Sequence, residues 1–176
     1  ALPAGLCLLT GLKELDLGWN EFRLGAGRIL RGLVKKDSGL HTLCLAWNGM
    51  HEDDASAIDF ALHHAKHLRT LDISHQEIGE RAAMVIAGAL KRTKTLSRLI
   101  MCGNPIGVRG GQCMFKLMRV LKDEDPQVDL SGCNFGASDV SQKLFDHGNP
   151  TGKYELQLEN YYDRMVAYEL IELAWN

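Results

Sequence analysis

Residues 40–50 read LHTLCLAWNGM, and the same order of apolar and amide residues returns every 28 residues along the chain. The counterparts are LKELDLGWNEF at 12–22, LRTLDISHQEI at 68–78 and LSRLIMCGNPI at 96–106. A fifth copy follows one residue late at 128–135, and a weaker sixth lies 28 residues further on. Four copies in phase indicate an internal repeat, whose units bury their core only by stacking on one another.

Each unit divides into a predicted strand and a predicted helix. In the L-x-L segment the two leucines point to one face, because strand side chains alternate. The second half of each unit carries apolar residues at helical spacing, and small residues such as Ala61 and Ala89 let helix and strand approach closely. The predicted stripes are Ile29, Leu30 and Leu33; Ile58, Ala61 and Leu62; Ile86, Ala89 and Leu90; and Met114, Leu117 and Met118.

The pattern L-x-x-L-x-L-x-x-N/C-x-L resembles the leucine-rich repeat, and its 28-residue length is similar to the ribonuclease-inhibitor-like subtype. The resemblance spans residues 6–136 well. It implies an α/β fold: a right-handed leucine-rich-repeat solenoid with parallel strands on the concave face and helices on the convex face. It also implies that the amide after each strand bonds the turn backbone of neighbouring units. Gln76 departs from this rule, so we expect a looser turn in the third unit.

We predict two regions, leucine-rich repeats over 1–136 in about five units and an atypical C-terminal repeat or cap over 137–176. The second begins after an acidic turn at 123–126 and holds a strong turn signal at 149–152. Residues 149–170 resemble the tails of protist leucine-rich-repeat and flagellar proteins. Leu6 and Leu9 fit the end of a preceding helix, so we expect a piece of a longer chain or a covered N-terminus.

Composition excludes several classes of protein. The 176 residues are 45% hydrophobic and 24% charged, and the longest apolar run has nine residues, which predicts no membrane insertion. A net charge of -2 argues against nucleic acid as a partner. Five cysteines without a C-x-x-C favour a cytoplasmic location. Residues 1–122 carry a net +6 and residues 123–176 a net -8, a polarity that could orient a partner or reflect cations at helix ends.

Equivalent outward positions of neighbouring strands form columns, because parallel strands lie about 4.8 Å apart. Just before each turn the column contains Trp19, Trp47 and His75, followed by two glycines. Asp16 and Asp72 lie in the column between the core leucines. We predict these five residues as a partner-binding cluster, since exposed tryptophan is enriched at binding hot spots. The alternative is that the two indoles stack on each other and cover the edge of the core.

Other candidate sites are weaker. His63 and His67 offer an i, i+4 pair for a metal, but with His64 we interpret them as surface histidines. Glu52, Asp53 and Asp54 suit the positive end of a helix. Cys44 is a candidate nucleophile, yet flanking Asp16 and Asp72 would raise the pKa of its thiol. The sequence contains no nucleotide-binding or hydrolase motif. We therefore predict no enzyme, no cofactor and no metal.

The sequence predicts a non-enzymatic protein–protein interaction or scaffold module, with protein partners bound through the concave face. We expect it to act within a larger multi-subunit assembly, such as a cytoskeletal or ciliary complex in the cytoplasm. The alternative is a regulatory leucine-rich-repeat protein, either GTPase-activating or receptor-like in ligand sensing.

Overall fold

The computed structural model describes residues 11–35, 39–120 and 126–135. Within them, strands and helices alternate along the chain. The strands are β1 Glu14–Asp16, β2 Thr42–Cys44, β3 Thr70–Asp72, β4 Arg98–Ile100 and β5 Gln127–Asp129. The helices are α1 Ala26–Lys35, α2 Ala55–His64, α3 Glu80–Leu90 and α4 Gly107–Val120, with 3-10 turns at Arg23–Gly25 and Glu52–Asp54. One strand with the turn and helix after it is called a coil below, numbered by its strand.

The five strands form one parallel sheet in sequence order, β1 to β5. Leu43 pairs with Leu15 on one side and with Leu71 on the other, so neighbouring coils are offset by 28 residues. Between β4 and β5 the offset is 29, with Leu99 opposite Val128. The predicted in-phase stacking of the repeats, including the late fifth copy, is confirmed.

The core lies between the sheet and a layer of helices in which each helix packs against the next one along the chain. Leu43, Leu45 and their equivalents in the third and fourth coils are almost completely buried. The predicted helical stripes also face the core, and Ala61 and Ala89 have no exposed surface. Among the described residues, no helix is long and apolar enough to cross a membrane.

A row of buried amides, Asn48, Gln76 and Asn104, fastens the coils together. The Asn48 amide donates to the carbonyl oxygens of Leu45 in its own coil and Leu17 in the preceding coil, both at 2.8 Å. Its Oδ1 accepts from the backbone N–H of Phe22. Asn104 of the fourth coil makes the same bonds to its own coil and to the third coil. Asn48 and Asn104 are at least 99% buried. Each amide therefore closes the turn of the coil before it.

Gln76 reaches the preceding coil as the two asparagines do, while a looser turn in the third coil stays a prediction. Its Oε1 accepts from the backbone N–H groups of Asn48 and Met50, and its Nε2 donates to the Leu45 carbonyl. The longer side chain reaches the same groups of the preceding coil that an asparagine would reach. In the fifth coil Cys133 takes the position, and its thiol donates to the Met101 carbonyl oxygen at 3.3 Å.

Glutamates connect the coils in the opposite direction. The Glu52 carboxylate accepts from the backbone N–H groups of Arg81 and Ala82 at the start of α3. Glu80 likewise accepts from the backbone N–H of Arg109 in α4. Both carboxylates complement the positive end of a helix in the following coil. As predicted, Glu52, Asp53 and Asp54 lie in the turn that begins α2, and Asp54 accepts there from the backbone N–H of His51. The contact of Glu52 with the helix of the next coil is additional.

The predicted region 137–176 and the residues Leu6 and Leu9 lie outside the described residues.

Replacing Asn48 by alanine should destabilise the fold by about 3 kcal/mol, because it removes four hydrogen bonds of a buried amide at about 0.5–1.5 kcal/mol each and takes the acceptor from the Phe22 N–H. The matched control is Asn20→Ala, which removes the exposed amide at the same repeat position in the first coil. It should cost about 1 kcal/mol or less. Urea unfolding followed by far-UV circular dichroism gives both values, and equal losses would contradict the bridging role of the Asn48 amide.

Candidate aromatic binding surface

Three aromatic side chains stack at the ends of the first three strands, and we call Trp19, Trp47 and His75 the aromatic row. The ring centroids of Trp19 and Trp47 are 4.4 Å apart with the planes 15° from parallel. Those of Trp47 and His75 are 4.3 Å apart at 9°. The exposed fractions of Trp19 and Trp47 are 73% and 41%. The row is therefore a continuous aromatic strip at the surface.

Sheet register produces this stacking. The backbone N–H of Trp19 donates to the Ala46 carbonyl at 2.9 Å, and that of Trp47 donates to the Ser74 carbonyl at 3.2 Å. The N–H of His75 continues the series to the Cys102 carbonyl at 2.7 Å. Parallel strands repeat at about 4.8 Å, which is close to the contact distance of two stacked rings. Identical positions in successive coils therefore bring their rings face to face.

The backbone at the aromatic row adopts a conformation that favours glycine. Trp19, Trp47 and His75 have φ values of +60°, +58° and +50°. The same position in the fourth and fifth coils is Gly103 and Gly132, with φ values of +64° and +65°. A side chain with a Cβ costs about 1 kcal/mol or more in this region. Three bulky residues are thus retained where glycine would be the unstrained choice.

The row ends differently on its two sides. The His75 imidazole lies over Gly103, where a Cβ atom would overlap the ring. At the other end, one face of Trp19 lies against Trp47. Trp19 is nonetheless 73% exposed, so most of its indole is accessible. A planar group could pack against it.

Asp16 and Asp72 lie beside the aromatic row and shape the turns that carry it. Oδ1 of Asp16 accepts from the backbone N–H of Gly18 at 2.8 Å, and Oδ1 of Asp72 accepts from that of Ser74 at 2.9 Å. One oxygen of each carboxylate is therefore used by its own turn. The structure brings all five predicted site residues to the same edge of the sheet. The two aspartates also stabilise the turns that follow their strands.

Cys44 lies between the two aspartates, and its thiol is held protonated. Burial raises its pKa to about 11, and the carboxylates of Asp16 and Asp72 add to the effect. The Cys44 Sγ lies 3.8 Å from Oδ2 of Asp72. The predicted direction of this shift is confirmed, although burial is a larger cause than the carboxylates. A thiol of this kind is a poor nucleophile.

A second set of charged groups at the surface was not among the predicted site residues. Glu21, Arg23, His51 and Glu77 line an open cleft next to the turns. Oε2 of Glu77 is 3.0 Å from Nδ1 of His51, and Oε2 of Glu21 is 3.9 Å from the guanidinium of Arg23. The signal was available, since Glu21 and Glu77 each follow an aromatic-row residue by two positions.

The histidines considered for a metal have other partners. Nδ1 of His63 lies 3.3 Å from the Asp59 carboxylate, and its Nε2 accepts from Nε of Arg92 at 2.7 Å. The His64 ring stacks on Phe60 at 4.2 Å. Among the described residues, no group of three potential ligands is placed to hold a metal ion. Both nitrogens of His63 are engaged, which argues against metal ligation by the predicted i, i+4 pair.

Comparison with known proteins supports the fold. The structure is similar to the tropomodulin C-terminal domain of Caenorhabditis elegans, with a TM-score of 0.60 over 98% of this chain and 90% of that one, at 12% identity. The sequence is 32% identical over 90 residues to leucine-rich repeat-containing protein 45 of Gallus gallus. That stretch is 50% of this chain and 13% of the chicken protein. No protein-family model matches. The chain therefore has a mixed α/β, leucine-rich-repeat-like fold.

Backbone strain at the aromatic row predicts an unusual order of stabilities. Trp47→Gly should be more stable than Trp47→Ala by about 1 kcal/mol, because only glycine is unstrained at this positive φ. Gly132→Ala is the matched control, since a Cβ there meets only ordinary contacts at 3.7 Å and beyond. It should lose a similar amount. Urea unfolding measures all three, and an alanine variant of Trp47 as stable as the glycine variant would contradict the strain.

The Cys44 thiol should ionise near pH 11. Its folded pKa of about 11 exceeds the ordinary value of 9.0, so the stabilisation of its neutral form is complete below pH 9 and is lost as the pH rises through 11. Pulse alkylation with iodoacetamide at a series of pH values, read by peptide mass spectrometry beside circular dichroism, gives the midpoint. Asp72→Asn should lower that midpoint, and a wild-type midpoint at or below pH 9 would refute the assignment.

Proposed function

We propose that this chain is a non-enzymatic protein-interaction module and that the aromatic row is the centre of its partner-binding surface. Trp19, Trp47, His75, Asp16 and Asp72 form the proposed binding set. The observation that carries the proposal is the exposed stack of three rings at positions with left-handed backbone. Glycine at the same position in two later coils supports the same turn without a ring.

The alternative, that the indoles only cover the core edge, accounts for less. Trp19 leaves 73% of its surface exposed, so it covers little core. Leu130, beneath the turn that carries Gly132 in place of a ring, is buried all the same. A large apolar surface kept exposed at a cost in backbone strain is typical of a binding hot spot, where tryptophan contributes most when a partner desolvates it.

A protein partner also accords with the comparisons. The chain shares sequence with a leucine-rich repeat-containing protein and its fold with a domain of tropomodulin. We propose that the sheet face carrying the aromatic row is the concave face of a right-handed solenoid with ribonuclease-inhibitor-like repeats. In this proposal residues 1–136 are the repeats and residues 137–176 cap them.

We further propose that the module acts in the cytoplasm as part of a larger assembly, of the cytoskeletal or ciliary kind. The uneven charge of the chain, +6 over residues 1–122 and -8 over 123–176, supports ordered contacts with neighbouring subunits. The four described cysteines, Cys44, Cys102, Cys113 and Cys133, are all free thiols, which accords with a reducing compartment.

The double variant Trp19→Gly/Trp47→Gly should lose the protein partners that the wild-type chain captures from native extract, with an unchanged far-UV circular dichroism spectrum. Glycine is chosen because it suits the backbone at both positions. The matched control is Met84→Ser/Val85→Ser, which removes two exposed apolar side chains from the helix layer and should leave capture intact. Quantitative mass spectrometry compares the three. Unchanged capture by the tryptophan variant would overturn the proposed site.

A further inference from the structure

Four carboxylates belong to the turns at the two ends of the aromatic row, and we call Asp16, Glu21, Asp72 and Glu77 the carboxylate bracket. Asp16 lies three residues before Trp19 and Glu21 two residues after it. Asp72 and Glu77 lie at the same distances from His75 in the third coil. Of these four residues, all but the partly exposed Asp72 are exposed. The turns that carry Trp19 and His75 therefore each hold two acidic side chains.

These carboxylates retain capacity to bind a partner. Each aspartate uses Oδ1 in its own turn, and Oδ2 of Asp72 accepts a long hydrogen bond from the Cys44 thiol at 3.8 Å. The Glu21–Arg23 pair is 3.9 Å apart with both side chains at least 75% exposed, so it is a weak surface ion pair. Glu77 meets His51, which is charged only when protonated. A cationic partner can thus compete with Arg23 and His51 for the carboxylates of Glu21 and Glu77.

The exposed indole of Trp19 favours one class of cation. A guanidinium is planar and stacks on aromatic faces, whereas an ammonium is a compact and strongly hydrated charge. A guanidinium packed on the exposed indole would lie in the same turn as Asp16 and Glu21, whose exposed carboxylates can accept from its N–H donors. Phosphate groups of a nucleic acid would meet the same carboxylates with like charge.

We infer that the aromatic row receives an arginine-bearing, basic segment of a partner protein, with one guanidinium packed on the exposed indole of Trp19 and the carboxylate bracket supplying the counter-charge. This inference rests on the proposed function and gives the partner's chemistry. It requires the ring stack and the carboxylates together, so each can be removed separately.

The test measures binding of fluorescein-labelled hexa-arginine, hexa-lysine and hexa-citrulline to the full 176-residue chain by anisotropy. Citrulline keeps the shape of arginine without the charge. Hexa-arginine should bind at least about tenfold more tightly than hexa-citrulline and more tightly than hexa-lysine. Trp19→Gly/Trp47→Gly should weaken hexa-arginine binding by about fivefold or more, the contribution of a cation–π contact.

A matched pair of variants isolates the bracket. Asp72→Asn removes one charge beside the aromatic row. Asp129→Asn removes one from the equivalent turn of the fifth coil, which carries Gly132 instead of a ring. In both turns the aspartate accepts from the backbone N–H of the serine two residues later, Ser74 or Ser131. Only Asp72→Asn should weaken hexa-arginine binding, because asparagine preserves the turn's acceptor oxygen in both.

Three results would overturn the inference. The first is hexa-arginine binding that is unchanged in the tryptophan variant, which assigns it to acidic residues elsewhere such as those in 123–176. The second is equal affinity for hexa-lysine, and the third is tryptophan-dependent binding of a short oligothymidylate instead of the arginine peptide. If these results occur while the tryptophan variant still loses its captured proteins, only the partner chemistry fails. Intact capture would instead remove the proposed function.

Discussion

Buried amides hold this structure in register. Asn48, Gln76 and Asn104 each reach back into the preceding coil, where they satisfy backbone groups that have no water to replace them. A slip of one residue between strands would leave these groups unpaired and would also turn the leucines outward. The 28-residue spacing is therefore fixed by hydrogen bonds as much as by hydrophobic burial. The coils stack in one way only.

That register reaches the surface as the aromatic row. Three rings meet face to face because the positions that carry them are hydrogen-bonded in the sheet direction, not because the side chains seek each other. The left-handed backbone of Trp19, Trp47 and His75 shows the conflict between local preference and surface chemistry. Proteins tolerate such conflicts mainly at functional sites, where the surrounding structure enforces them.

Much of this arrangement follows from the sequence. Leucines at fixed offsets predict the sheet order and the buried stripes, and the column rule places Trp19 beside Trp47. Periodicity does not predict φ, so the left-handed backbone of the aromatic row is seen only in the structure. The bonds of Gln76 to the preceding coil were missed because a longer amide can reach the same backbone groups as an asparagine. The contact of Glu52 with α3 was not predicted, because it joins residues 30 positions apart in the sequence.

The contacts between coils run both ways along the chain. Amides complete the turn of the coil before them, while Glu52 and Glu80 complete the helix of the coil after them. An interior coil thus stabilises both of its neighbours. Unfolding of one coil would remove hydrogen bonds from the turn of the coil before it and from the helix start of the coil after it. The described coils should consequently melt as one cooperative body, and a chain of this design could not shed a central unit and merely become shorter.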